Sequence, residues 1–311
     1  MRYSDMHCDT LTVCCDRGLS LYDCALQNNL IELEKSGCAV QCFAVFTQGG
    51  CADVAFYNYL DFYLKSIKEH NVKSVLCHDD FVQCINGESV GALLTIENLG
   101  FLHSLEELYR LHDSGVRMAS LVWNYKNKFA YPNLIFEGGV PLFEERESRS
   151  LTPSGRQAVE LLDELKIIVD VSHLSDGGVE GILRGRKIPV VASHSNALEI
   201  CGVSRNLKDG QIKGIADCGG VVGVNFCKDF LGEGDTFELV LKHIKHLIKV
   251  GGEEVVAFGS DFDGIPAPPG LEDCSKMPAL IDFLSANGVG LSVLEKICYK
   301  NFARVFKEVC G

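Results

Sequence analysis

The sequence predicts an α/β protein of the (β/α)8 TIM-type barrel class, and three observations predict it. Eight short runs are rich in Val, Ile, Leu, Phe and Ala, amphipathic helical patterns separate most of them, and histidines and carboxylates gather where the runs end.

The runs lie at roughly 3–8, 39–46, 91–96, 116–122, 167–172, 189–193, 221–226 and 255–260. Ile167-Ile168-Val169-Asp170-Val171 and Val221-Val222-Gly223-Val224 are nearly unbroken apolar stretches, as parallel strands covered on both faces should be. The clearest helix begins at Thr152-Pro153, an N-cap followed by proline at the first helical position. Ala158, Leu161, Leu162 and Leu165 then share one face. Other helices fit 53–69, 104–113, 176–184, 208–217, 236–250 and 290–308, while 124–150, long, aromatic and charged, reads as an active-site loop. The rival fold is an open doubly wound sheet, whose first strand normally enters a glycine-rich turn. Here the first strand ends in His7-Cys8-Asp9-Thr10, with no glycine. At 311 residues, a single barrel domain spanning 1–311 is expected.

Composition narrows the function. Twenty-nine basic against 42 acidic residues give a net charge of −13, which disfavours nucleic acid and anionic membrane surfaces as partners. No run approaches the ~20 apolar residues of a membrane span, the first residues lack a signal-peptide core, and the last ones lack a prenylation box. A cytoplasmic location is expected. The 15 cysteines include no C-x-x-C pair, so they are expected to be reduced, and most, such as Cys42, Cys77, Cys218 and Cys227, to be small core residues.

In a barrel the chemistry sits at the C-terminal strand ends. Here those ends read His7-Cys8-Asp9, Ile96-Glu97-Asn98, Asp170-Val171-Ser172-His173, Ser193-His194-Ser195 and Ser260-Asp261-Phe262-Asp263-Gly264. A lone histidine at a strand end is ordinary, but several such ends meeting at one rim point to a metal site. Histidine and carboxylate are nitrogen and oxygen ligands of zinc, and this many groups suits two ions ~3.5–4 Å apart that share a carboxylate and a water. Manganese, cobalt or iron would accept the same ligands. His243 and His246, flanked by lysines, are expected on a solvated helix face. H-E-x-x-H, G-x-S-x-G and Walker A motifs are all absent.

These residues, together with Gly115-Val116-Arg117, Leu151-Thr152-Pro153-x-Gly155 and Ser204-Arg205-Asn206, resemble the renal (membrane) dipeptidase family, zinc dipeptidases of the amidohydrolase-like, metallo-dependent hydrolase barrels. The likeness runs nearly end to end. It implies His7 and Asp9 on one zinc, His173 and His194 on the other, Glu97 bridging them, and Asp261 as acid and base beside a bridging hydroxide. It also implies Arg205 on the substrate carboxylate, and a homodimer that hydrolyses dipeptides, including some with a D-residue at the C-terminal position. The sequence departs from the family at Trp123-Asn124, where other members place a substrate-contacting histidine, and at Glu97-Asn98-Leu99-Gly100 in place of Glu-Gly-Gly. Both Trp123 and Asn124 are expected to line the substrate site. The alternatives are another binuclear amidohydrolase (lactonase, cyclic amidase or deaminase) and a non-catalytic metal-binding barrel. The first usually carries His-x-His on its first strand and a carboxylated lysine between its metals. A thiol-based sensor has only the cysteine count behind it.

Overall fold

The computed structural model describes residues 1–47, 52–134, 136–137, 140–141 and 149–311. Eight parallel strands form the barrel: β1 (Tyr3–Asp5), β2 (Cys38–Phe46), β3 (Gly91–Glu97), β4 (Val116–Ser120), β5 (Ile168–Asp170), β6 (Val190–Ala192), β7 (Val221–Val224) and β8 (Val256–Phe258). Each pairs with its sequence neighbours, and β1 closes the ring on β8 through Asp5 and Phe258. The strand order is that of a (β/α)8 barrel.

The barrel interior is filled from below. Val40 and Cys42 of β2, Leu93 of β3, Met118 of β4, Ile168 of β5, Val191 of β6, Val221 of β7 and Ala257 of β8 form one apolar layer with Met6. Phe302 and Phe306 of the C-terminal helix Asn301–Cys310 and Phe81 of the helix His78–Asn86 plug its N-terminal end, their rings 5.4–5.6 Å from one another across Phe81. Fully burying a ring of this kind stabilises the fold by roughly 2–3 kcal/mol. Only the C-terminal mouth is left for chemistry.

Strands β1, β4, β5, β7 and β8 stop two or three residues short of the expected ends. Beyond β5 and β8 the backbone departs from extended geometry, His173 and Asp261 taking positive φ (68° and 65°). The helix at Pro153 forms as expected, Thr152 Oγ1 accepting from Gly155 N–H at 3.0 Å. The expected helix 290–308 is instead Leu291–Glu295, a π-turn at Lys296–Lys300, and Asn301–Cys310. The helices Thr10–Arg17 and Leu30–Lys35 are short and lie outside the expected set; Met277–Ala286 also lies outside it, although Met277, Leu280, Ile281 and Leu284 form a buried i, i+3, i+4, i+7 stripe that the sequence displays. Part of 124–150 lies outside the described residues.

His243 and His246 are not on a solvated face. Both are buried in the helix Thr236–Gly251: His243 Nδ1 accepts from Ala197 N–H at 3.2 Å, and His246 Nε2 pairs with Asp209 at 2.7 Å. Cys42, Cys218 and Cys227 are core residues, whereas Cys77 is half-buried at a helix start. None of the described helices is long and apolar enough to cross a membrane.

Candidate active site and metal centre

His7 and Asp9 follow β1, Glu97 ends β3, His173 follows β5, His194 follows β6 and Asp261 follows β8. All are buried, and their ligand atoms converge in three overlapping groups: His7–Asp9–Glu97, Glu97–His173–His194 and His7–His194–Asp261. Within each group the atoms lie within 4.8 Å of one another. Glu97 Oε1 is 2.9 Å from His173 Nε2 and 3.4 Å from His194 Nε2, while its Oε2 is 3.9 Å from His7 Nε2. His7 Nε2 lies 3.5 Å from Asp9 and 3.8 Å from Asp261.

The far ring nitrogens are held in place. His173 Nδ1–H donates to Asn124 Oδ1 at 2.8 Å. His194 Nδ1–H donates to Ser193 Oγ at 2.7 Å, and that hydroxyl donates in turn to Asp170 at 2.5 Å. These bonds leave both Nε2 lone pairs facing the centre, a ligand-orienting arrangement. Asn225 Nδ2 donates to Asp261 Oδ2 at 2.9 Å, and Asp261 Oδ1 faces His7. Below them, Ser260 and Gln41 donate to the buried carboxylate of Asp5, which ties β1 to β8.

The electrostatics follow from burial. Desolvation pushes the Asp9 and Glu97 carboxyls up, and lifts Asp261 to about 7 with help from Asp9 and Glu97 and against His7 and Asn225. Burial alone would lower His7, but Glu97, Asp9 and Asp261 outweigh it and raise it to about 10. His173 and His194 are driven well below the usual range by burial, and the positive charges of Arg205 and His7 add to this. Neutral imidazoles beside crowded carboxylates are what divalent cations require, and bound cations would hold those carboxylates ionised. His7 Nε2 is buried without a hydrogen-bond partner, and two imidazole lone pairs meet across 2.9 Å. On this donor chemistry the residues fit metal ions.

Above this centre opens a cavity of about 420 Å³. Arg205 lines it; Nη2 donates to His194 O at 3.3 Å and lies 3.1 Å from His173 Nε2, while Nη1 is buried without a partner. Trp123 lines the wall, its ring 4.7 Å from that of Phe46. Asn124 also lines the cavity, but its side-chain oxygen is committed to His173. Reading the strand ends missed Asn225, although it is a polar residue directly after β7 and the same rule would have found it. Gly264, which closes the last strand-end motif, matters for its size: the positive φ of that turn falls on Asp261 and Asp263 instead. A Cβ there would run into the carboxylates of Asp9 and Asp261, so only glycine lets the Asp261-Phe262-Asp263-Gly264 turn pack against them.

A closed parallel barrel with histidines and carboxylates converging at its C-terminal rim defines a metal-dependent hydrolase. The chain belongs to the membrane dipeptidase family (peptidase family M19), metallopeptidases that act on dipeptides, whose family profile matches residues 1–310. It is 34% identical over 256 residues to an uncharacterized Klebsiella pneumoniae protein from the pqqA 5′ region, covering 79% of this chain and 93% of that one. The crystal structure of the dipeptidase AC, a metallopeptidase of the same family, superposes with a TM-score of 0.91 at 26% identity, over 100% of this chain and 99% of its own. A Rhodobacter sphaeroides metallopeptidase, solved with a phosphinate mimic of the dipeptide L-Ala-D-Ala, shares the fold with a TM-score of 0.89 at 24% identity, over 99% of each chain.

Proposed function

We propose that this protein is a binuclear zinc dipeptidase. The observation that carries the reading is the overlap of the three ligand groups at Glu97, His7 and His194, which gives room for two ion positions sharing one carboxylate. His7 and Asp9 would hold one ion and His173 and His194 the other, with Glu97 between them. When bound, such ions supply Lewis acidity and a bridging hydroxide at neutral pH.

The protein's own groups do the rest. Asp261 has one oxygen fixed by Asn225 and the other turned to the centre, so it can take a proton from the attacking water and hand it to the leaving amine. Arg205 offers its unpartnered Nη1 to the substrate's carboxylate, which limits substrates to dipeptides because a longer chain would carry that carboxylate out of reach. Trp123 and Phe46 give the cavity an aromatic wall. The L-Ala-D-Ala mimic on the Rhodobacter neighbour supports tolerance of a D-residue at the C-terminal position.

The same reading takes residues 1–311 as one catalytic barrel, acting as a homodimer in the cytoplasm. Strands from both ends of the chain closing one ring support the single barrel, and the free thiols of the described cysteines suit a reducing compartment; the homodimer rests on the family likeness alone.

The test is hydrolysis of L-Ala-L-Ala and L-Ala-D-Ala by zinc-loaded protein, with N-acetyl-Ala-amide as control and metal content measured alongside. Cleavage of the free dipeptides with two ions per chain supports the reading. Two ions without cleavage of any dipeptide would move it to another amide or ester substrate.

A further inference from the structure

Asp16 lines the cavity but belongs neither to the ligand groups nor to the carboxylate site. It sits near the end of the helix Thr10–Arg17, which starts at Asp9 and runs outward along the cavity wall. Asp9, Thr12, Val13 and Asp16 all face the cavity, at the spacing of a single helix face. A rise of 1.5 Å per residue puts Asp16 about 10 Å beyond Asp9. Tyr59 OH, from the helix Ala52–Glu69, donates to Asp16 Oδ1 at 2.9 Å and fixes the carboxylate, leaving its second oxygen free. Asp16 makes no ion pair among the described residues.

The ring order orients a substrate against this group. Arg205 comes from the segment after β6; Asp16 follows β1 and Tyr59 follows β2, on the opposite side of the mouth. A dipeptide whose carboxylate sits on Arg205 therefore extends its N-terminal residue toward Asp16. The α-ammonium, one carbon from the scissile carbonyl, stays near the ligand end of the helix. A long side chain reaches further, past Val13 and Phe46, which can cover an aliphatic stem while its charged head goes on to Asp16.

We propose that Asp16, held by Tyr59, is a specificity-determining residue that selects dipeptides with lysine or arginine at the N-terminal position. This rests on the dipeptidase reading above. The test compares kcat/KM for Lys-Ala and norleucyl-Ala, which share a stem and differ in the terminal charge. Asp16 is exposed, so at low salt the wild-type protein should favour Lys-Ala by about two- to fivefold, the scale of a surface ion pair. The ratio should fall toward one in Asp16→Asn and in high salt, and partway in Tyr59→Phe. A wild-type ratio near one, with both substrates hydrolysed, would overturn the assignment of Asp16 and leave the dipeptidase reading standing. A preference that survives in Asp16→Asn would also overturn it. Hydrolysis of neither substrate would overturn both.

Discussion

The Nε2 atoms of His173 and His194 lie 2.9 Å apart, and neither ring has its other nitrogen free. Two imidazole lone pairs at that distance repel unless a cation lies between or beside them. Asn124 and the Ser193–Asp170 relay thus hold the rings in a geometry that a bound metal ion relieves, and the Arg205 Nη2 group, 3.1 Å from His173 Nε2, faces only one of the two lone pairs. The segments that supply these partners, after β4, β5 and β6, are neighbours in the ring, which is why the parts meet although 70 residues of chain separate Asn124 from His194.

Asn124→Ala should weaken metal binding by about 10- to 100-fold, because His173 loses the acceptor that fixes its ring. Asn124→Asp keeps an acceptor and should retain most of the affinity. Competition against a chelating dye measures both. If the alanine variant bound as tightly as wild type, Asn124 would be a cavity-wall residue only.

Asp261→Asn should keep its metal and lose about 10²-fold or more in kcat. An asparagine can still present its oxygen to Asn225, so the turn should hold. The paired measurements are metal content by mass spectrometry and turnover of a dipeptide. A near-wild-type rate would take Asp261 out of the proton transfer.

Much of this was legible in the sequence, for a specific reason. Parallel strands covered on both faces must be apolar, so a polar residue such as Glu97 or Asp170 at a strand end stands out against Ile96 or Val169. What the sequence hid was the consequence of three-dimensional neighbours. His243 stands next to Lys242, which suggests a solvated face, yet helical spacing aligns it with Leu239, Val240 and Leu247 on the buried stripe, where Ala197 and Leu231 bond to its ring. Asn124 stands beside Trp123 at a site position, but its partner His173 is 49 residues away. The helix Thr10–Arg17 is rich in threonine and cysteine, whose helix propensity is modest, and packing against the barrel decides its conformation.

Arg205→Ala should hurt substrates with a free C-terminal carboxylate far more than their amides. A charge-assisted pair in a buried site contributes about 1.5–3 kcal/mol, so a loss of one to two orders of magnitude in kcat/KM is expected for Ala-Ala and little for Ala-Ala-amide. Equal losses on both would mean that the carboxylate binds elsewhere.

Gly264→Ala should lower metal affinity without unfolding the chain, since the new methyl group pushes on the carboxylates of Asp9 and Asp261. Gly210→Ala is the control: it lies in the helix Asp209–Asp217 with open space around it, and should be neutral or slightly stabilising. Zinc titrations and thermal melts of the two variants separate the effects. Unchanged zinc affinity in Gly264→Ala would show that the turn yields more easily than its contacts imply.

His243 sets a pH dependence of stability away from the metal centre. It is a neutral ring with Nδ1 accepting from Ala197 N–H and Nε2–H donating to Leu231 O at 3.1 Å, and protonating Nδ1 would break the first bond. Burial pushes its pKa down to about 4, with the Leu231 carbonyl opposing and His246 adding slightly. The folded value is thus below the unfolded one of ~6.5, and the unfolded state binds more protons between them. Stability from this group is complete above pH ~6.5 and is lost as pH falls toward 4, by ~3 kcal/mol in all. His243→Gln removes the titration, so its stability should fall less steeply over that range even though it is lower at pH 7. Urea unfolding at pH 7, 5.5 and 4.5, with chelator present for both proteins so that metal release does not enter, measures the two slopes. Parallel slopes would assign the acid sensitivity to other groups.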